Sequence, residues 1–313
     1  MKSLKLLLIG AILASVGSAA VAAGDELNIA YVKSPFNLQN IVMKQRGMLE
    51  KEFAAEKIDV KWHDINSGAK QTQALASGAL DVSAVMNTTS LLMSAAQGNQ
   101  ISAVTGVAHP SNVFAIVGKA GKQLTVSELK GKTVVGPRGT VLHQVLVAAL
   151  AKNGMTIKDV NFVSMDPPKA YAALVSGKVD AALLAAGLII KANKNGMKTI
   201  VTADGLVSPN LVMVASNRFA QENPEMLARV VKVHREALAW IKANKTAALE
   251  MGAKEQGVSV EDAEKLYDWS GFYDVLTQKD IDGLKADQKF LLDNGMMNQA
   301  IDVRTVVFPS AMR

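Results

Sequence analysis

The chain has no cysteine. A disulfide framework is thereby excluded, and so is a thiol that could carry a lipid anchor. Histidine is scarce, and the four residues His63, His109, His143 and His234 fall in no metal-ligand spacing. No Gly-x-Ser-x-Gly elbow or Walker-type loop occurs, and Gly136-Pro137-Arg138-Gly139-Thr140 is too incomplete to cradle a nucleotide. With those groups missing, catalysis has no recognisable machinery, and neither an enzyme nor a cofactor is expected. Aromatic residues make up only 5% of the chain, and nowhere do they interleave with clustered Lys and Arg. That argues against nucleic acid as a partner. The net charge of +6 is a mild excess that favours anions weakly. No apolar run reaches the roughly 20 residues that a membrane-spanning helix needs.

Met1-Lys2-Ser3-Leu4-Lys5 is a basic start, Leu6 to Val16 is apolar, and Ser18 to Gly24 offers small residues for cleavage. This pattern reads as a secretory signal peptide over residues 1–23 and predicts a freely diffusing periplasmic protein. Its removal takes away Lys2 and Lys5 and leaves a charge of +4. The remaining chain, about 290 residues, is long enough for two units with their own cores.

Two stretches nearly a hundred residues apart repeat one another. Leu75-Ala76-Ser77-Gly78-Ala79-Leu80-Asp81-Val82 matches Leu174-Val175-Ser176-Gly177-Lys178-Val179-Asp180-Ala181. In each copy a helix ends at a Gly suited to the left-handed C-cap, and an apolar strand begins after the Asp. Both strands are too apolar for an exposed ribbon and suit a parallel sheet covered on both faces. One recurrence implies two similar lobes, since a solenoid needs three or more copies.

Around these junctions strands and helices alternate, which is the pattern of doubly wound α/β lobes. Strands are expected at 27–32, 59–65, 82–86 and 101–107, and again at 133–136, 160–165, 181–185 and 199–202. Val113 to Val117 reads as a strand leaving the first lobe, and Pro209 to Ser216 as a return strand. The expected fold is thus α/β, two doubly wound lobes joined by a two-strand hinge. Lobe 1 would comprise 24–110 plus 210–313, and lobe 2 would comprise 111–209. From Arg218 onward the chain is mainly helical, and these helices are expected to pack around lobe 1.

The order of several motifs resembles one family. They are Leu27-x-Ile29-x-Tyr31, the repeated Ser-Gly-x-x-Asp, Leu129-Lys130-Gly131-Lys132-Thr133-Val134, and Gly139-Thr140-x-x-His143. Asn217-Arg218-Phe219-Ala220, Asn223-Pro224-Glu225 and Ala239-Trp240-Ile241-Lys242-Ala243-Asn244 continue the series. The chain is similar to the periplasmic substrate-binding proteins of ABC importers for aliphatic sulfonates, taurine and nitrate (NMT1-like). The resemblance implies a type II periplasmic binding protein, a two-lobed clamp that closes on a small solute and delivers it to a membrane permease and its ATPase. A monomer is expected.

Where the solute would sit follows from the strand order, because in open α/β sheets ligands bind beyond the carboxyl ends of strands, at helix N-termini. Six loops qualify: 34–37, 66–68 and 87–90 in lobe 1, and 138–143, 166–168 and 185–187 in lobe 2. They supply Ser34, Phe36, Asn37, Asn66, Ser67, Asn87, Thr88, Thr89, Gly139, Thr140 and Pro167 as candidate ligand-binding residues. Arg138 adds a guanidinium able to pair with a sulfonate, carboxylate or nitrate. His143 is carried over from the family motif as a pocket donor. Helix capping is the alternative role for the Asn, Ser and Thr residues.

One departure stands out. Similar proteins often present Trp-Asp-Pro where this chain has Ala185-Ala186-Gly187, so the wall there is smaller and less polar, with room for a larger organic molecule. A small organic anion, sulfonate-like by preference, is the expected solute. An aromatic carboxylate or pyrimidine is the alternative, as is a role as solute sensor beside a membrane receptor. Thiamine-pyrimidine synthases resemble the same fold, but their cysteine-rich motif is absent.

Overall fold

The computed structural model of the protein describes residues 26–312 apart from 33, 66 and 122. The signal segment and Asn66 lie outside the described residues. The chain runs β1 (Glu26–Tyr31), α1 (Leu38–Gln45), α2 (Met48–Glu52), β2 (Asp59–Asp64), α3 (Gly68–Ser77), β3 (Val82–Asn87), α4 (Thr88–Ala95) and β4 (Ile101–Ala108). It crosses to β5 (Phe114–Gly118), β6 (Thr133–Gly136), α5 (Val141–Lys152), β7 (Asn161–Ser164), α6 (Pro167–Val175), β8 (Ala181–Ala185), α7 (Gly187–Lys194) and β9 (Lys198–Thr202). Then β10 (Leu211–Ser216) returns, followed by α8 (Asn217–Glu222), α9 (Pro224–Ala243), α10 (Lys245–Gln256), α11 (Val260–Ser270) and α12 (Gln278–Asp293).

The strands form two separate sheets, ordered β2-β1-β3-β10-β4 and β7-β6-β8-β5-β9. In the first, β10 lies antiparallel between β3 and β4; in the second, β5 lies antiparallel to both β8 and β9. Each sheet is therefore four strands in one direction with a fifth, opposed strand supplied by a crossing from the other lobe. The two sheets share one topology, and β3 and β8 hold the same central place. Both are buried almost throughout, as their unbroken apolar runs require.

The repeated junctions do the same work in each lobe. Gly78 and Gly177 sit at φ 77° and 70°, in the left-handed region where a Cβ would be strained. Their N–H groups donate to Leu75 and Leu174 carbonyls, closing the helix ends. The Asp81 carboxylate accepts from Asn28 N within β1 (2.8 Å), and the Asp180 carboxylate accepts from Thr133 N at the start of β6 (3.0 Å). Ser-Gly-x-x-Asp is thus a device that ends a helix and ties the next strand to its neighbour.

The C-terminal helices are shared more widely than the sequence suggests. α9 packs on α1 and α12 on α4, but α11 also packs on α7 of lobe 2, where Lys194 pairs with Asp262. The first crossing is bonded to the segment after α11, through His109 N to Gly271 O (3.0 Å) and Ser111 N to Trp269 O (2.9 Å). The tail therefore packs on lobe 1 and also reaches across the hinge to lobe 2. Among the described residues no helix is long and apolar enough to cross a membrane.

Candidate functional site

The carboxyl edges of the two sheets face each other, and the loops that leave them meet around a cavity of about 50 Å³. Every one of the six strand-end loops contributes to its wall. Ser34 and Pro35 follow β1, Gly68 opens α3, and Asn87 ends β3. From lobe 2, Thr140, Val141 and Leu142 open α5, Pro167 opens α6, and Ala185 ends β8. Val32, Val85, Leu211 and Phe114 complete an apolar side, and Gln71 a polar one. No charged side chain lines the cavity among the described residues.

What the wall offers an anion comes from backbone and amide. Ser67 and Thr140 stand at the N-cap positions of α3 and α5, yet neither side chain caps its helix. The Thr140 hydroxyl instead donates to Pro137 O at 3.0 Å. First-turn N–H groups of two helices, one per lobe, thus receive nothing from their own N-cap side chains and stand at the positive ends of helix dipoles beside the cavity. α6 adds little, because it starts with two prolines that have no N–H to give.

Asn87 links these helix starts. Its Oδ1 accepts from Ser90 N in its own helix (2.9 Å) and from Val141 N across the cleft (3.2 Å). Two backbone donors on one oxygen fix which way the amide points. Its Nδ2 is left as a donor with no acceptor among the described residues. Gly68 is required at this crossing, since a Cβ there would lie 2.4 Å from Ser90 Oγ and 2.8 Å from Asn87 Nδ2.

The lobes touch directly around the cavity. Thr89 Oγ1 donates to Gln144 Oε1 (2.6 Å), and Ser90 Oγ donates to Gly139 O (2.8 Å). Gln144 Nε2 in turn donates to Asp287 Oδ1 on α12 (2.9 Å), whose Oδ2 accepts from Thr88 Oγ1 (3.3 Å). Burial pushes the Asp287 carboxyl above its ordinary value, against the pull of these two donors. Lys70 and Asp166 form a further ion pair between lobes at 2.7 Å.

Of the residues expected from sequence, the structure brings Ser34, Asn87, Thr140 and Pro167 to the cavity wall. Thr88, Thr89 and Gly139 stand just behind it: Thr89 and Gly139 spend polar atoms on contacts between lobes, and the Thr88 hydroxyl bonds Asp287 within lobe 1. Ser67 lines a separate hollow with Lys70 and Asp166. Asn37 braces the loop after β1 by donating to Val32 O (3.0 Å), and Phe36 is buried with its ring against Gly252.

Arg138 and His143 lie off the wall. The Arg138 guanidinium sits 4.8 Å over the Phe162 ring, and the His143 ring stacks on the same Phe162 at 4.9 Å and 6°. One turn into α5, the helix carries position 143 round toward β7, not toward the cleft. Burial, helped by the nearby Arg138, lowers the His143 pKa to about 4 and keeps the ring neutral. Sequence reasoning missed Gln71, Phe114, Leu142 and Leu211. Phe114 and Leu211 had a signal: each is the first residue of a strand delivered by a crossing, which places it beside the cleft.

A family model described as NMT1/THI5 like matches residues 50–248. A putative aliphatic sulfonates-binding protein of Bacillus subtilis (strain 168) is 28% identical over 276 residues, covering 85% of this chain and 81% of that protein. Among solved structures, the alkanesulfonate-binding protein SsuA from Xanthomonas axonopodis pv. citri bound to MOPS matches with TM-score 0.78 at 21% identity, over 91% of this chain and 98% of that one. The periplasmic aliphatic sulphonate binding protein SsuA from Escherichia coli matches with TM-score 0.73 at 19% identity, over 92% and 94%. At these identities the structures establish the fold, a two-lobed periplasmic binding protein.

Proposed function

The chain belongs to the NMT1/THI5-like family, and from that premise we propose that it is the solute-capturing component of an ABC import system. In this reading lobe 1 (24–110 plus 210–313) and lobe 2 (111–209) close on a small organic anion, a sulfonate by preference. The exported protein then delivers it to a membrane permease. One observation carries the reading: two helix N-termini, one from each lobe and neither capped by its own N-cap side chain, converge with the Asn87 Nδ2 donor on one interlobe cavity. Such a site stabilises negative charge without a salt bridge, because aligned peptide dipoles and N–H groups supply the opposite sign.

The anion would also bind best to the closed form. Its donors come from both lobes, so its contacts are complete only when the cleft is shut, and a solute with that preference shifts the open–closed equilibrium. Names of relatives support the sulfonate choice, since the Bacillus subtilis protein is a putative aliphatic sulfonates-binding protein. The wall groups bind and orient, and none of the described ones titrates near neutral pH, which favours capture over catalysis.

The test is a thermal-shift screen of the purified protein against small sulfonates, nitrate, carboxylates and pyrimidines. A solute that binds only the native state at a hundred times its Kd adds about 2.7 kcal/mol of stability. Sulfonates are expected to raise the melting point most. A response confined to neutral solutes would refute the anion reading.

A further inference from the structure

We infer that the site accepts only compact monoanions, with room for about one carbon beyond a sulfonate head, and that Phe114 sets this limit together with Leu142; this rests on the solute-capture reading above. The Ala185-Ala186-Gly187 loop has small side chains, yet the cavity measures only about 50 Å³. At roughly 10–15 Å³ for each water-sized group, that holds about five such groups at most. A sulfonate head takes four of them, its sulfur and three oxygens.

The space the loop gives up is taken from two sides. Phe114 is the strand partner of Ala185 in the β5–β8 register, so an aromatic stands opposite the missing one, and it is 2% exposed. Ser34 leans in from lobe 1, with its hydroxyl 3.4 Å from Ala185 O. Leu142 closes the cavity from the first turn of α5, at 4% exposure.

The loop itself has no freedom to retreat. Ala186 is fully buried, donates its N–H to Val113 O at 2.9 Å, and holds φ 46°, a left-handed value that is costly for a residue with a Cβ. Behind it, a Cβ on Gly187 would lie 2.9 Å from Gln256 Oε1 and 3.4 Å from Val258. The end of α10 therefore backs the wall, and a longer solute must displace Phe114 or Leu142 rather than push the loop aside. Close-packed interiors resist added methylenes.

The experiment is isothermal titration of two homologous series, methanesulfonate to pentanesulfonate and formate to valerate, against wild type, Phe114→Ala and Leu142→Ala. In wild type, affinity is expected to fall at least tenfold between the shortest tight binder and the member two carbons longer. In either variant the optimum is expected to move to longer chains. Circular dichroism identifies a variant that has not folded, and the other then carries the test. If carboxylates show the length limit while no sulfonate binds, the sulfonate preference is lost and the size limit stands. Three results would overturn the inference: long members binding wild type as tightly as short ones, folded variants with an unchanged order, or no binding in either series.

Discussion

Asn87→Asp separates the two jobs of one amide. The substitution is nearly isosteric and keeps an oxygen for both Ser90 N and Val141 N, so the cap of α4 and the bridge to α5 survive. A carboxylate at a helix start is itself favourable by about 0.3–1 kcal/mol, so the melting point should hold or rise. The cost falls on the solute. Where Nδ2 offered a hydrogen to an anion, a negative oxygen now stands, and two like charges about 4 Å apart repel by roughly 4 kcal/mol at an effective dielectric constant near 20. At about 1.4 kcal/mol per decade, affinity for an anionic solute should fall on the order of a thousandfold. Titration calorimetry reads the loss and a melting curve reads the fold. Asn87→Ala is the control, expected to lower stability by about 1 kcal/mol through the lost cap. Should Asn87→Asp bind the anion within tenfold of wild type, the amide does not face the solute and the site would have to be drawn elsewhere.

The lobes were legible in the chain because their marks are local. Gly78 and Gly177 must take a left-handed φ, and Asp81 and Asp180 must bond the N–H of a neighbouring strand, so the two copies print the same residues in the same order. The loops that line the cavity were legible for a related reason: they follow strands, and strands could be placed from apolar runs. Side-chain direction was not. Arg138 and Asn87 looked alike as polar residues near a helix start, yet one stacks on Phe162 and the other bridges the lobes, and only the packing of β7 decides between them. Phe114 and Leu142 carry no polar signal at all. Nor does sequence show that Thr89 meets Gln144 or that Asp287 reaches both Thr88 and Gln144, since those pairs are 55 to 199 residues apart.

Arg138→Ala should leave anion affinity within about threefold of wild type and cost about 0.5–1 kcal/mol of stability through the lost contact with Phe162; a tenfold or greater loss by calorimetry would place the guanidinium at the solute. Asp287→Asn tests the contact between lobes through pH. Burial raises the Asp287 carboxyl, so the fold holds that proton more tightly than the unfolded chain does. Its stabilising contribution is therefore complete below the ordinary carboxylate range and is lost as pH rises through that range toward neutral. Asparagine cannot ionise, yet it keeps an oxygen for Gln144 Nε2 and turns an N–H toward Thr88 Oγ1, as the protonated acid would. The variant should accordingly melt higher than wild type at neutral pH, with the two curves converging as pH falls to about 4, near the ordinary carboxyl value. A difference that stays constant across that window would mean Asp287 is ionised at no cost. The contact would then be an ordinary surface pair, with no hold on how the lobes shut.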